Sequence, residues 1–176
     1  MNSDPFPISM DCCTAEDKGR YALSVMRIVL GFMLIWAFFD KLLGLGRLTD
    51  KSNAMINGGS PTEYYLSSLV DGPFEGMWNA LAGNQFVDLL LMFGLLAVGS
   101  ALMLGIASRL SVIGMTVMMA LMYTLCIPPS DNILVDYHIV YICGILAIYW
   151  LGGFDRISLK RFWNGLPVVK DVPILQ

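Results

Sequence analysis

Four long apolar runs constrain this chain more than any other feature of its sequence. They occupy residues of about 22–45, 86–106, 110–127 and 133–151. A helix of roughly 20 apolar residues is long enough to cross the hydrocarbon core of a bilayer. These runs are apolar nearly all round, whereas a helix of a soluble bundle keeps a polar face. The sequence therefore predicts an all-α integral membrane protein, a four-transmembrane-helix bundle.

The composition agrees with this class. Charged residues make up 14% of the chain and hydrophobic residues 56%, whereas charged residues are about a quarter of an ordinary soluble protein. The 11 Lys and Arg residues are scattered and the net charge is only -3. The basic stripe that nucleic-acid binding requires is therefore missing. We therefore expect the chain to bind the lipid bilayer and not nucleic acid.

Turn residues mark the ends of the predicted spans. Ser108–Arg109 separates the second span from the third, and Pro128–Pro129 ends the third because proline lacks the donor for a further helical turn. Residues 130–132 offer N-cap side chains for the fourth span, which Gly152–Gly153 ends. The predicted domains are an N-terminal tail (1–20), a membrane domain (21–153) and an interfacial C-terminal tail (154–176).

The basic residues predict the orientation. With four spans, both termini share a side with the turn at Arg109. That side carries Lys18, Arg20, Arg27, Arg109, Arg156, Lys160, Arg161 and Lys170, and the other carries Lys41, Arg47 and Lys51. Because cytoplasmic segments carry the excess of Lys and Arg, we expect a multi-pass protein of the cell membrane with both termini in the cytoplasm.

The long outer connection between the first two spans, residues 46–85, has helical signals of its own. Ser60 and Glu63 have the spacing of a capping box, which introduces a turn or two that includes Tyr65. An apolar stripe at helical spacing follows, formed by Phe74, Met77, Trp78 and Leu81. We expect short interfacial helices in this outer loop, either on the membrane surface or as a roof over the bundle.

Several ionisable residues occupy the outer ends of the predicted spans. Asp40 and Lys41 end the first span, Asp88 opens the second, and Asp136 and His138 open the fourth. Such groups are costly in a membrane and are functional-site candidates by default. Their common depth predicts a polar outer layer, in which Lys41 neutralises Asp88 or Asp136.

A structural interpretation of these residues stays open beside the functional one. Asn84, Asp88, Asp131 and Asp136 lie in first turns, where amides and carboxylates cap helices, and for Asp131 we favour that role. Caps do not account for a Lys and a His at the same depth. Asp136 and His138 would be about 200° apart around a helix, so at most one points straight inward. We select His138, with Tyr141 one turn below it.

Arg27 is a second unusual residue, because it lies inside the cytoplasmic end of the first span. It shares one helix face with Gly31, Leu34, Phe38 and Lys41, and lies about 21 Å from Lys41 along the axis. Two interpretations stay open. The side chain either extends to the membrane interface, as long basic side chains do, or forms an inner binding site.

The sulfur-containing residues do not predict a metal site. A stripe on the third span is formed by Ser111, Met115, Met118, Met119, Met122 and Cys126. Thioethers and thiolates suit Cu(I), but no second set of soft ligands faces the stripe, so we favour a packing role. Cys126 and Cys143 differ in depth by roughly 13 Å and are expected to be free thiols. Cys12 and Cys13 fit a tail segment better than a redox or metal motif.

Several phrases together resemble one family. They are RIVLGFMLIWAFFDKLLGLG (27–46), INGGSPTEYYL (56–66), LAGNQFVDLLLMFGLLAVGSALMLGIASRL (81–110) and DNILVDYHIVY (131–141). In their order and spacing they are similar to the DoxX/DoxD family of small membrane proteins, over most of residues 20–165. The polar residues that the resemblance carries over are Arg27, Asp40, Lys41, Asn84, Asp88, Asn132, Asp136 and His138.

The resemblance implies a fold and an activity. It implies a four-helix membrane domain related to the DoxD subunit of thiosulfate:quinone oxidoreductase, which oxidises thiosulfate to tetrathionate and passes electrons to a membrane quinone. DoxX members are linked to sulfur and oxidative-stress handling with soluble redox partners. The implied cofactor is a membrane quinone, and the sequence holds no haem, flavin, iron–sulfur or metal motif. Electrons would pass directly from substrate to quinone, or through another subunit.

The enzyme hypothesis assigns roles to the outer layer. Lys41 would attract an anion or pair with a quinone oxygen, while His138 and Asp88 would relay protons. The predicted binding residues are Asp40, Lys41, Asn84, Tyr141, Asp136 and Arg27.

The alternative hypothesis is a non-catalytic membrane anchor or assembly subunit for a redox partner. It would bind through surface aromatics such as Trp78 and Trp163. A homo-oligomer is also left open. A small transporter lacks the inverted repeats and broken helices that would support it.

Overall fold

The computed structural model describes residues 14–68, 72–129 and 134–175. Of these residues, 71% are helical, and none of them forms a β-strand. The helices are α1 (Ala15–Leu43), α2 (Glu63–Ser68), α3 (Glu75–Asn79), α4 (Gln85–Leu104), α5 (Ser108–Leu125), α6 (Tyr137–Trp150), α7 (Lys160–Asn164) and α8 (Pro167–Lys170). Short 3₁₀ turns cover Lys51–Asn53, Met55–Asn57 and Pro173–Leu175.

Three helices, α1, α4 and α5, are long and apolar enough to cross a membrane by length and composition. The fourth, α6, is apolar but has 14 residues, a length of about 21 Å. It begins at Tyr137, after the predicted start near residue 133, because Asp136 is extended and its carboxylate caps the helix. The N-cap candidates at 130–132 lie outside the described residues.

Helix α1 begins earlier than the predicted first span. Thr14 is its N-cap and accepts a hydrogen bond from the Asp17 N–H, and Glu16 and Asp17 occupy its first turn. Acidic side chains there are stabilised by the partial positive charge of the helix N-terminus. Residues 15–20, predicted as tail, are therefore helical, and Cys12 and Cys13 lie outside the described residues.

The bundle is arranged around α4, which packs between α1 and α5, while α6 packs mainly against α5. The residues Arg27, Leu34 and Lys41, predicted to share one face of α1, are all buried. Met115 and Met119 lie in the core, which accounts for the methionine stripe by packing. The buried core is formed by Leu30, Leu34, Leu95, Leu102, Val112, Met115, Met119, Ile145, Ile148 and Phe154.

Two glycines set the separation of α1 and α4. A Cβ on Gly31 would lie 2.7 Å from the Met103 nitrogen and 2.8 Å from the Gly99 carbonyl oxygen. A Cβ on Gly99 would lie 3.1 Å from the Gly31 carbonyl oxygen. The two backbones therefore touch at this crossing, which is the role of small residues in membrane helix pairs.

One end of the bundle is covered by the connection between α1 and α4, and we call it the loop end (residues 40–68, 72–88, 125–129 and 134–138). Leu66 of α2 and Trp78 of α3 pack against Leu125 at the end of α5. The two short helices therefore cover the helix ends. Only part of the predicted stripe takes part, since Met77 is 50% exposed.

The opposite end, which we call the tail end (residues 15–27, 104–109 and 150–175), is covered by the C-terminal segment. The Leu159 N–H donates to the Leu104 carbonyl at 2.8 Å, and Arg109 donates to the Pro173 carbonyl at 3.4 Å. Val169 is buried. The predicted interfacial tail is thus attached to the turn between α4 and α5.

We expect Gly31→Ala to destabilise the protein by about 1–3 kcal/mol, because the added methyl group overpacks the α1–α4 crossing. Thermal unfolding in detergent should show a lower midpoint. Gly19→Ala is the matched control on the same helix, since a Cβ there meets nothing within 4 Å. Equal stability of the two variants would contradict the close crossing.

Candidate functional site

The predicted outer-layer residues all lie at the loop end and are almost fully buried. Their exposed fractions are 1% for Asp40, 7% for Lys41, 5% for Asp88, 9% for Asp136 and 6% for His138. Among the described residues, the only ion pair within this set joins Asp136 to His138. The predicted ion pair between Lys41 and Asp88 or Asp136 is therefore not formed.

Asp40 closes the turn that follows α1. Its two carboxylate oxygens accept hydrogen bonds from the backbone N–H groups of Arg47 (3.2 Å) and Leu48 (3.0 Å). Gly44 ends the helix in the left-handed conformation, at φ 65°, which glycine adopts without steric cost. Asp40 thus directs the chain into the outer connection, and its lone pairs are used by backbone groups.

Asp88 connects α4 to the start of α2. One of its carboxylate oxygens accepts from the Ser60 hydroxyl at 3.0 Å and from the Thr62 N–H at 2.9 Å. The Ser60 hydroxyl oxygen in turn accepts from the Glu63 N–H at 3.1 Å, the contact that the predicted capping box requires. Asn84 caps α4 by accepting from the N–H of Phe86 at 2.9 Å. The cap interpretation therefore holds for Asn84, whereas Asp88 accepts hydrogen bonds from the segment before α2 rather than from the start of its own helix.

Lys41 has a different environment from these carboxylates. Its ammonium nitrogen lies 4.5 Å from the centroid of the Tyr65 ring, within the range of a cation–π contact. No carboxylate oxygen of the described residues lies within 4.0 Å of it. Sequence reasoning placed Tyr65 only among the residues of the short helix, because spacing along the chain does not show which side chain would cover Lys41.

Asp136 and His138 form a pair at the start of α6. One oxygen of the Asp136 carboxylate accepts from the backbone N–H of His138 at 2.9 Å. The second oxygen lies 2.6 Å from the ring nitrogen Nδ1 of His138. Both side chains are buried, although the predicted angle between them would have turned at most one of them straight inward. The helical angle does not apply, because Asp136 is an extended cap outside the helix. Tyr141 is half-buried below them and packs edge-on against Tyr137, at 5.9 Å between ring centroids.

Cys126 joins this pair, which sequence reasoning missed. The thiol, an Asp136 carboxylate oxygen and a His138 ring nitrogen all lie within 4.8 Å of one another. The signal in the sequence was the short connection after Pro128–Pro129, which places the end of α5 beside the start of α6. The predicted free thiols are confirmed, since neither Cys126 nor Cys143 forms a disulfide.

Arg27 lies at the tail end, remote from the other candidates. Its guanidinium is fully buried, donates to the Ile157 carbonyl at 2.6 Å and lies 5.1 Å from the Phe154 ring centroid. The guanidinium therefore reaches the C-terminal segment, which covers it. Its Nε and one terminal nitrogen have no hydrogen-bond partner among the described residues. Gly105 makes room for it, because a Cβ there would overlap the guanidinium.

An ion pair connects the first turn of α1 to the segment that follows α6. Arg156 donates to the Asp17 carboxylate at 2.5 Å. This hydrogen bond raises the pKa of the Arg156 guanidinium above its ordinary value, because the carboxylate stabilises the charged form. The pair is partly exposed, so we assign it to the attachment of the tail rather than to a site.

Two cavities of ligand size lie at the tail end. One has a volume of about 440 Å³ and is lined by residues that include Arg109, Tyr149 and Lys160. The other, of about 430 Å³, borders Arg20 and Trp150. Both are open to the surface and neither includes a residue of the predicted outer layer.

The aromatic residues of the anchor hypothesis are packed within the chain. Trp78 is 8% exposed in the loop-end cluster. Trp163 is half-buried, and its indole N–H donates to the Leu175 carbonyl at 2.5 Å. Neither indole is therefore displayed to a partner in this structure.

No family model, no curated protein and no solved structure matches this chain. The resemblance to the DoxX/DoxD family therefore stays a prediction, as do the activity and the quinone that it implies.

We expect Asp88→Ala to release α2 from the bundle, because the buried Thr62 N–H loses its acceptor at a cost of about 1–3 kcal/mol. Hydrogen–deuterium exchange across residues 60–68 should accelerate by about tenfold or more. Asp88→Asn keeps an acceptor oxygen and should exchange more slowly than Asp88→Ala. Asp50→Ala is the control, since that side chain makes no cap hydrogen bond. Unchanged exchange in Asp88→Ala would contradict this role.

Proposed function

We propose that this chain is a multi-pass membrane protein in which α1, α4, α5 and α6 all cross the bilayer. Large apolar side chains on each helix face outward, and lipid would bury them. Examples with their exposed fractions are Val29 (60%), Phe93 (70%), Val117 (50%) and Val140 (56%). Helix α6 is short, but Leu134, Val135 and Leu151 extend its exposed apolar surface at both ends.

The proposed orientation puts both termini and the tail end in the cytoplasm and the loop end outside, since the tail end has more basic residues. Membrane-impermeant thiol labelling tests it. In a background with the four native cysteines replaced by serine, we expect Ile56→Cys to label in right-side-out vesicles. We expect Val168→Cys to label only in inverted vesicles. Both positions are highly exposed. Labelling of both from one side would exclude four spans.

The activity we propose is that of a DoxX-like redox subunit, which couples oxidation of a small sulfur compound such as thiosulfate to reduction of a membrane quinone. Lys41 is the observation that supports it. A buried ammonium with three donors and no carboxylate within 4.0 Å among the described residues favours a ligand that brings negative charge or acceptor oxygens. Both a sulfur oxyanion and a quinone carbonyl meet that requirement.

The chemistry balances without a further reactant. Two thiosulfate ions each give up one electron and become joined by a new sulfur–sulfur bond, which forms tetrathionate. The quinone takes up these two electrons together with two protons from solvent and becomes quinol. Lys41 would contribute by holding the developing negative charge on a quinone oxygen. Tyr65, above the ammonium, would keep water from one side of it.

The roles predicted for other residues change accordingly. The Asp88 carboxylate accepts two hydrogen bonds that attach α2, so we assign it to the fold rather than to a proton relay. Asp40 is likewise occupied by backbone donors. Arg27 lies at the other end of α1, so it does not belong to a site at Lys41. The proposal therefore rests on Lys41 with Tyr65.

We expect Lys41→Met to weaken binding of a short-chain quinone analogue by at least about tenfold, since one charge-assisted hydrogen bond is lost. Titration calorimetry of the protein in nanodiscs measures this. Lys51→Met is the matched control, because Lys51 is exposed at the same end. Quinone reduction with thiosulfate or sulfide should fall in parallel. A wild-type protein that neither binds nor reduces quinone would refute the redox role and favour the anchor hypothesis.

A further inference from the structure

The loop end contains a second cluster of chemically active side chains that the proposed redox role does not use. Cys126, Asp136 and His138 contribute a thiol, a carboxylate and an imidazole, and one ligand atom of each lies within 4.8 Å of the other two. These are the three side-chain types that bind zinc in proteins. The cluster is separate from the contact between Lys41 and Tyr65.

The fold holds the three residues in place through independent contacts. Cys126 ends α5 and Asp136 caps α6, so two packed helices supply the ligands. The Tyr123 hydroxyl donates to the Leu134 carbonyl at 2.7 Å, which attaches the last turn of α5 to the segment before Asp136. The cluster is thus formed by residues of two helices that pack against one another.

The Asp136 carboxylate is held by backbone hydrogen bonds and lies beside the His138 ring. One Asp136 carboxylate oxygen accepts from the backbone N–H groups of His138 (2.9 Å) and Ile139 (3.3 Å), which restricts rotation of the carboxylate. The other oxygen is 2.6 Å from His138 Nδ1. Their side chains are 5% and 7% exposed, respectively. Cys126 is exposed, so an ion can enter from that side and solvent can supply a fourth ligand.

We propose that Cys126, Asp136 and His138 bind one Zn²⁺ ion at the loop end, with a water molecule in the fourth position. Bond lengths of about 2.0–2.3 Å place the ligand atoms of a tetrahedral zinc site roughly 3.3–3.7 Å apart. The three ligand atoms, which now lie within 4.8 Å of one another, have to approach by up to about 1 Å. The 2.6 Å contact between the Asp136 carboxylate and His138 Nδ1 has to open where Nδ1 is the ligand.

The ligand set selects this metal class over others. Ca²⁺ and Mg²⁺ require oxygen ligands, and one carboxylate among three side chains does not satisfy them. Cu(I) prefers thiolate and thioether sulfur, whereas two of these ligands are oxygen and nitrogen. A mixed set of sulfur, nitrogen and oxygen suits Zn²⁺. Three protein ligands with an open position are typical of catalytic rather than purely structural zinc sites.

Metal titration of the full-length protein in detergent, free of any histidine tag and first stripped with a chelator, tests this proposal. We expect about one equivalent of Zn²⁺ to bind in competition with a chromophoric chelator. Co²⁺ should give the near-ultraviolet absorption of a thiolate-bound ion. Neither readout depends on quinone, so the redox proposal can fail while this one holds.

Variants separate ligands from structural residues. Cys126→Ser should remove the thiolate absorption and weaken Zn²⁺ binding by more than the roughly 10–100-fold that loss of an outer partner costs. Asp136→Asn keeps the helix cap through its amide oxygen, and should weaken binding by at least about tenfold. Cys143→Ser is the matched control, since that exposed thiol lies outside the cluster.

Two results would overturn the assignment. The first is Cys126→Ser protein with unchanged helical content by circular dichroism that binds Zn²⁺ as tightly as the wild type. The second is wild-type protein that takes up no Zn²⁺ or Co²⁺ after stripping. Loss of binding in Cys126→Ser but not in Cys143→Ser supports the site.

Discussion

The burial of charged side chains at the ends of apolar helices is the constraint on which this structure depends. A carboxylate removed from water has to recover its hydrogen bonds within the protein. Asp40, Asp88 and Asp136 each do so by accepting from backbone N–H groups of a neighbouring turn or helix. The same contacts direct the chain after α1, attach α2 and begin α6. The loop end is therefore built by the residues that first looked like a single active site.

The apolar runs predicted the all-helical fold and three helices long and apolar enough to cross a membrane, because hydrophobic length and proline or glycine stops are local properties of the chain. The ends of α4 and α5 and the capping box at Ser60 followed from such signals. The early start of α1 at Ala15 was missed because Thr14 lies in a polar stretch that hydropathy ignores. The places of Asp40, Asp88 and Asp136 near helix ends also followed from the apolar runs.

The contacts within the site were less predictable. Partners such as Tyr65 for Lys41, or Ile157 for Arg27, depend on how distant segments fold back, which neither periodicity nor spacing reports. The helical-wheel angle between Asp136 and His138 did not apply, for a related reason. It assumed that Asp136 belongs to the helix, whereas a cap residue adopts another backbone conformation and turns its side chain back over the first turn. The proximity of Cys126 to that turn is visible only in the structure, in which the end of α5 lies beside the start of α6.

Arg27 also bears on the order in which the molecule assembles. The carbonyl that accepts its hydrogen bond belongs to Ile157, 130 residues further along the chain. During synthesis α1 is therefore made with a cation whose acceptor does not yet exist. Until the segment that contains Ile157 emerges, the guanidinium has to be solvated by water. Closure of the bundle at that end is consequently a late step. A chain truncated before Ile157 would have an Arg27 guanidinium without this acceptor.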